Sequence, residues 1–322
     1  MGLGHFLFSL WGLCGVLGAS GFRICAFNLH GFGESKSNNE EVMKTIVKII
    51  VRCDVCVLQE VRDSKHKALP KLLSQLNSYN RRYQFDHVAS ERLGRSPAYQ
   101  EQYVFVYRTD SVSVTAQYQY PDLFPGSVDV FAREPFIVRF SAPRTAIKSF
   151  VLVPLHSSPT NATKEIDSLF DVFVAVKKKW KTEKILFLGD FNAGCSYLPI
   201  KYRKDVRLLT DRRFQWLIDH DVDTTVREST DCAYDRIVVH ADSMGYIVPR
   251  SAEPFLFPHE YHLTEEQALS VSDHYPVQVT LKSSSSSQAM KSMSGSTQNH
   301  VVFLSLILVL LVCWLNFSQS HI

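Results

Sequence analysis

Asp190 and Asn192 stand two residues apart at the end of the run Lys184-Ile185-Leu186-Phe187-Leu188-Gly189. Strand alternation sends both side chains to the same side, where backbone pairing stops and side chains meet solvent. A carboxylate and a carboxamide in that place offer hard oxygen donors suited to Mg²⁺ or to phosphoryl chemistry. Taken alone, the pair is ordinary turn chemistry. The chain, however, repeats the arrangement. Asn28 follows the strand-like run 22–27, Glu60 follows 54–59, Glu101 opens 101–107 and His156 closes 150–155. Asp235 precedes 236–240, and Ser272-Asp273-His274 precedes 277–281. Together these positions supply two histidines, five carboxylates and two carboxamides, which are the groups that metal-assisted phosphodiester hydrolysis requires.

The residue types divide the work. A water must lose a proton to attack phosphorus, and the leaving oxygen must gain one. Two imidazoles with a pKa near neutrality can do both, provided a carboxylate orients each ring. Mg²⁺ held by Glu60 and neighbouring oxygens would offset the charge that develops on the phosphorane. Neutral Asn28 and Asn192 can donate to a phosphate oxygen without repelling it.

Such loops need rigid elements behind them. Asn39-Glu40-Glu41 opens a helix carrying Val42, Ile46, Ile49 and Ile50 at helical spacing, and residues 68–76 read as a second. The stretch 163–180 is an amphipathic helix with Ile166, Phe170, Phe173 and Trp180 inside and Lys177, Lys178 and Lys179 solvated. A short helix is expected near 213–220, and a strand over 84–90. The alternating stretches 101–107 and 112–120 are expected to form an antiparallel hairpin. Strands outnumber helices, which predicts two sheets packed face to face with helices outside, as one domain.

The ends of the chain differ from its middle. Of the 322 residues, 35 are Lys or Arg and 32 Asp or Glu, and nearly all lie between about 22 and 290. That block is close to neutral, so contact with a polyanion must come from local Arg and Lys clusters. Residues 1–21 hold no charged side chain and pass from an apolar run into Gly18-Ala19-Ser20-Gly21, the pattern of a secretory signal peptide. Residues 301–317 are uncharged and apolar, preceded by a Ser-rich linker over 283–300. Small residues, polar spacer and greasy tail describe a GPI-attachment signal, with cleavage between 286 and 295, and a C-terminal transmembrane helix as the alternative. Asn161-Ala162-Thr163 is a glycosylation acceptor. Cys53 and Cys56 have CxxC spacing, but residues i and i+3 of a strand face opposite ways, so they read as ordinary core cysteines.

The stretches FRICAFN, VLQEVRD, AYQEQYVFVYR, FAREPF, VPLHS, LGDFNAGC, DCAYDRIVV and VSDHYPVQVTL resemble the deoxyribonuclease I family, in its order, across about 22–282. With the greasy C-terminus, the resemblance points to the membrane-anchored branch. It implies an α/β fold, the four-layer α/β/β/α sandwich of endonuclease/exonuclease/phosphatase enzymes. It also implies a monomer that cuts double-stranded DNA with Mg²⁺ or Mn²⁺, at the cell surface or in a secretory compartment. By that resemblance His156, assisted by Glu101, is the catalytic acid, and His274, supported by Asp235, its partner. Glu60, Asp190 and Asp273 match metal or phosphate positions, and Asn28 and Asn192 match phosphate contacts. Arg62, Tyr99 and Arg133 match residues that follow the DNA backbone, reading groove width more than sequence. Ca²⁺ positions are matched by Asp122, Asp129 and Glu134, and by Asp223, Thr225 and Thr230. Cys195 and Cys232 match a family disulfide, whereas the family's small-loop disulfide has no counterpart in 122–129. His87 and Ala89 depart from the family's actin-binding edge, so little actin binding is expected. Two other readings stay open: a sphingomyelinase or abasic-site phosphodiesterase of the same fold, and a non-catalytic surface DNA-binding protein.

Overall fold

The structure, a computed structural model, describes residues 21–79, 81–121 and 129–284. The signal peptide, the hydrophobic tail, nearly all of the Ser-rich linker and Asp122 lie outside these residues. Among the described residues, no helix is long and apolar enough to cross a membrane.

Twelve strands follow in chain order: β1 (Phe22–Phe32), β2 (Val55–Val61), β3 (Phe85–Ala89), β4 (Gln102–Arg108), β5 (Ser113–Gln119) and β6 (Phe136–Ala142), then β7 (Lys148–Pro154), β8 (Ile185–Asp190), β9 (Phe214–Trp216), β10 (Asp235–His240), β11 (Glu253–Pro254) and β12 (Val277–Leu281). They form two six-stranded sheets, ordered β11-β12-β1-β2-β4-β3 and β5-β6-β7-β8-β10-β9. Most pairings are antiparallel, but β1–β2 and β7–β8 are parallel, each joined through a covering helix.

Alternation explains the layers. In β8, Leu186 and Leu188 enter the core between the sheets, while Ile185 and Phe187 face outward under the helix Ala162–Trp180. In β1, Ile24 and Ala26 face the other sheet, while Phe27 packs outward with Ile46, Ile50 and Leu72 of the helices Glu40–Ile50 and Ala68–Tyr79. Central strands buried on both faces read as continuous apolar runs. The middle layer is rich in aromatics, with Phe140 stacked on Phe150 and tilted against Phe105, both at 5.8 Å. The result is a four-layer α/β/β/α sandwich.

Three sequence expectations are corrected. β4 and β5 do not form a hairpin: β4 lies between β2 and β3 in the first sheet, and β5 pairs with β6 in the second. Alternation marked both strands, but both faces and both edges of β4 are already used, so the turn carries the chain across to the other sheet. The segment 213–220 is not a helix. Phe214–Trp216 pairs with β10, and the helical turn lies earlier, at Arg207–Thr210. Cys53 is not an ordinary core cysteine, because it is bonded to Cys25 with Cα atoms 6.1 Å apart. Cys56 stays a free, buried thiol, and Cys195–Cys232 is a second disulfide.

Candidate active site

The functional side chains gather where β1, β2, β7, β8 and β10 of the two sheets present one common edge. His156 follows β7, Asp190 ends β8 and Asp235 opens the antiparallel neighbour β10, directly opposite Asp190 in register. Glu60, near the end of β2, and Asn192, just past β8, both adopt left-handed backbone with φ of 55° and 49°. Such conformations are costly for non-glycine residues and persist only where the surroundings impose them.

His156 and Glu101 form one half of the site. Both are buried, and Glu101 Oε1 lies 2.5 Å from His156 Nδ1. Arg133 Nε stands 2.9 Å from the same oxygen, and its Nη1 donates to the His156 carbonyl. The His156 backbone N–H donates to the buried Tyr103 hydroxyl at 2.8 Å. Burial opposes charge on both partners, but each stabilises the other's ion. The imidazole therefore sits above its ordinary pKa, and the carboxyl, also facing Arg133 and Arg62, below its own. With Nδ1 committed to Glu101, Nε2 is the atom left facing the cleft.

His274 and Asp235 form the other half. Asp235 Oδ2 accepts from His274 Nδ1 at 2.7 Å and from Thr224 Oγ1 at 3.0 Å. Burial works against a charged His274, but Asp235, Asp190 and Asp273 outweigh it and raise its pKa to about 10. Burial also pushes Asp235 upward. The proton held by this pair sits on His274, the member with acidic neighbours on several sides.

Asp190 joins the halves. Its Oδ2 lies 3.6 Å from His156 Nε2 and 3.7 Å from His274 Nε2, and accepts from Asn28 Nδ2 at 3.1 Å. Asn28 Nδ2 also lies 3.3 Å from Glu60 Oε1, while Arg62 pairs with Glu60 Oε2 at 2.9 Å. Two residues from distant parts of the chain thus aim their imidazoles at one carboxylate oxygen. Glu60 and Asp190, brought together by one amide, are a hard-oxygen set that fits a divalent cation. Asp190, Asp235 and His274 also place ligand atoms within 4.8 Å of one another. Asp273 stands at the rim, with Oδ1 3.5 Å from His30 Nδ1 and 3.9 Å from His274 Nε2, and with no hydrogen-bond partner for that oxygen among the described residues.

Other expected positions fall around this centre. Tyr99 is 67 % exposed on a surface turn, free to meet a large ligand. Arg133 is mostly buried against Glu101, so its contacts orient the Glu101–His156 pair. Asn28 has its amide protons engaged by Glu60 and Asp190, whereas Asn192 donates to the Ser157 carbonyl and receives support from Asp190. Asp223 Oδ1 accepts from Thr225 and from Cys232, and Thr225 Oγ1 also reaches the Thr230 carbonyl, so these three residues share one loop. Asp129 faces Arg95 at 3.9 Å, and the Glu134 carbonyl accepts from Gln119. Asn161 donates its amide to the Val130 carbonyl, engaging the nitrogen that would carry a sugar. His87 and Ala89 lie on β3, the edge strand of the first sheet.

Several supporting residues, Arg236 apart, carry no local sequence signal of that role. Gln59, fully buried, crosses between the sheets: its amide donates to the Leu155 carbonyl and its oxygen accepts from Asp190 N–H. Gly189 beside it has φ +127°, and a Cβ there would lie 2.6 Å from Gln59 Nε2 and from the Leu155 carbonyl. Lys36 caps the carbonyls of Leu29, His30 and Val271. Arg236, also fully buried, binds the carbonyls of Ala193, Ile218, Asp219 and Ala233 and the His220 ring. The run of strand residues after Asp235 hinted at burial there, which makes an arginine in it conspicuous.

The sequence and the fold have known relatives. The sequence matches the model of the Endonuclease/Exonuclease/phosphatase family over residues 25–274. It is 51% identical over 269 residues to deoxyribonuclease gamma of Rattus norvegicus, covering 83% of this chain and 86% of that one. It is 49% identical over 277 residues to deoxyribonuclease-1 of Sus scrofa, covering 85% and 96%. The match to deoxyribonuclease-1-like 1 of Cricetulus griseus is 44% over 294 residues, covering 91% of each. Among solved structures, the catalytic domain of human Nocturnin superposes with a TM-score of 0.56 at 16% identity, covering 82% of this chain and 95% of that one. An endonuclease/exonuclease/phosphatase from Bacteroides vulgatus does so at 0.56 and 18%, covering 81% and 98%.

Proposed function

The chain belongs to the endonuclease/exonuclease/phosphatase family and, within it, to the deoxyribonuclease I family, and from that premise we propose that it is an endonuclease hydrolysing phosphodiester bonds of double-stranded DNA. The observation that carries this reading is the pair of carboxylate-backed imidazoles whose Nε2 atoms face one Asp190 oxygen. A scissile phosphate seated in that gap has a proton donor on one side and, once His274 has given up the proton it holds, an acceptor on the other. His156, oriented by Glu101, delivers its Nε2 proton to the leaving oxygen as the P–O bond breaks. His274, oriented by Asp235, takes the proton of the water whose oxygen forms the new bond to phosphorus.

Glu60 and Asp190 would hold Mg²⁺ or Mn²⁺, with Asp273 at the rim. Bound there, the cation supplies charge that offsets the phosphorane and weakens the anionic field keeping a proton on His274. Asn192 keeps a donor for a phosphate oxygen, and Arg62 and exposed Tyr99 follow the backbone of the duplex. Ca²⁺ at the Asp223–Thr225–Thr230 loop, and at the loop bearing Asp129 and Glu134, would act structurally. The two disulfides suit a chain that matures in an oxidising compartment. With the signal peptide and tail, they support a secreted or surface protein held by a GPI anchor, monomeric and only weakly bound by actin.

Plasmid nicking tests the reading directly. Wild-type protein in Mg²⁺ is expected to nick supercoiled plasmid, EDTA to stop it, and His156→Ala to lower the rate by roughly 10²–10⁴. Nicking by folded His156→Ala at the wild-type rate would overturn the assignment. Hydrolysis of sphingomyelin or of abasic-site DNA in preference to intact duplex would redirect it.

A further inference from the structure

The loop after β8 leaves the active-site edge and is pinned beside His274 before it turns outward. Cys195 is bonded to Cys232, and Gly194 sits so close to the Ala233 backbone that a Cβ would lie 2.9 Å from its carbonyl oxygen. Tyr197 stacks on Tyr234 at 5.4 Å, and the Tyr234 ring lies 6.2 Å from that of His274. Residues 194–197 therefore run beside 232–235, one ring away from the imidazole. The buried Leu198 closes that contact.

From Pro199 the chain stands away from the body. Ile200–Arg203 is a single helical turn, and Lys204 continues its right-handed backbone. Residues 200, 201 and 204 share one face of that turn, because side chains three and four apart are neighbours. Ile200 is 80% exposed, more than any other large hydrophobic residue among those described, and Tyr202 is 44% exposed. Lys201, Arg203 and Lys204 add three positive charges, against one acidic residue, Asp205, between 195 and 207. Among the described residues none of the three is paired with a carboxylate, whereas Lys177, Arg207 and Arg213 are. Arg203 lies against the body with its Nε buried and unpartnered; burial first, and then the Arg203 charge, hold Arg236 below its ordinary pKa. Cations held this way repel one another and attract a polyanion. Four residues of extended chain, at most about 14 Å, separate Lys201 from Tyr197. One strand of a duplex covers that distance in about four base pairs.

We propose that residues 200–204 form an accessory arm for duplex DNA, with Lys201 and Lys204 on backbone phosphates over the charge of Arg203, and Ile200 and Tyr202 against the sugars between them. The arm rests on the nuclease reading above and extends the interface on the His274 side, beyond Arg62, Tyr99 and Asn192. Phosphate and sugar contacts carry no sequence information, so the arm adds grip without selectivity. Its contacts lie away from the reacting atoms and are made equally to bound substrate and transition state. They therefore act on KM and leave kcat alone.

The test is steady-state plasmid nicking in Mg²⁺ over a series of NaCl concentrations. Lys201→Gln/Lys204→Gln should raise KM several-fold at fixed salt and leave kcat within about twofold. Each phosphate contact contributes about 0.9 to the slope of log affinity against log salt, so the slope of log kcat/KM should become shallower by roughly 2. Ile200→Ser should raise KM with the wild-type slope. Lys178→Gln/Lys181→Gln removes the same charge from exposed positions at the opposite edge, where the long helix ends, and should change neither quantity. An unchanged slope in the Lys201/Lys204 variant, or an equal change in the Lys178/Lys181 control, would overturn the arm. A wild-type chain that leaves plasmid intact would strike the nuclease reading instead. Fluorescence anisotropy of a labelled duplex in EDTA then decides the arm: weaker binding with a shallower salt slope in the double variant supports it, and equal binding overturns it.

Discussion

Chemistry at the residue scale depends on tautomer and aim. Each imidazole proposed to be catalytic spends Nδ1 on a buried carboxylate, which leaves Nε2 as the atom that can exchange a proton with a ligand. Asp235→Asn keeps the size of the side chain but removes the charge that orients and stabilises the His274 ion. Its nicking rate is expected to fall by roughly 10²–10⁴, with the circular dichroism spectrum and melting temperature near those of wild type. Arg236 works at a distance from the reacting atoms. Its guanidinium gathers carbonyls from the loops after β8 and after β9, and Arg236→Lys would leave several of them unpaired. The expected loss is about 3 kcal/mol in denaturant unfolding, since each buried carbonyl left without a donor costs roughly 1–3 kcal/mol.

At the scale of elements, the long helix Ala162–Trp180 supports the His156 loop through Glu165, buried at its first turn. The Glu165 carboxylate accepts from Ser158 N–H and Ala132 N–H, one oxygen each. Burial nevertheless outweighs these bonds and raises its pKa from 4.5 to about 7. Between those values the folded chain holds a proton that the unfolded chain has released, so stability falls as pH rises through the window. The contribution is on the order of 3 kcal/mol between pH 4 and 8. Urea midpoints measured across that range should decline for wild type and decline less for Glu165→Gln; equal slopes would refute the coupling. Elements were also where local reading failed. Alternation identified β4 and β5 as strands, yet whether neighbours in sequence pair depends on which edges are free, and Phe214–Trp216 became a strand because β10 offered it an edge.

Across the whole molecule, the described chain begins and ends together: Phe22 pairs with Leu281 at the edge opposite the catalytic cluster. Ser284, the last described residue, follows β12 at the end remote from that cluster. Treatment of expressing cells with phosphatidylinositol-specific phospholipase is expected to release nuclease activity and protein into the medium. Retention of both on the cells would favour a transmembrane tail.

The sequence by itself determined the list of chemical groups. Carboxylates, imidazoles and carboxamides at strand ends follow from alternation and apolar runs, which are local properties. Resemblance in the motifs around His156 and His274 then supplied their roles. Tertiary structure decided the rest. Asn28 engages Asp190, Arg133 backs Glu101 and Gln59 bridges the sheets because these partners meet only when two sheets pack, while Asn28 reaches Glu60 and Cys53 bonds Cys25 through the pairing of β1 with β2. The bond from Asp190 N–H to Gln59 spans 131 residues and leaves no periodicity to read, and the partners of Arg236 lie on loops whose course no local pattern fixes, so neither role was legible before the fold was in view.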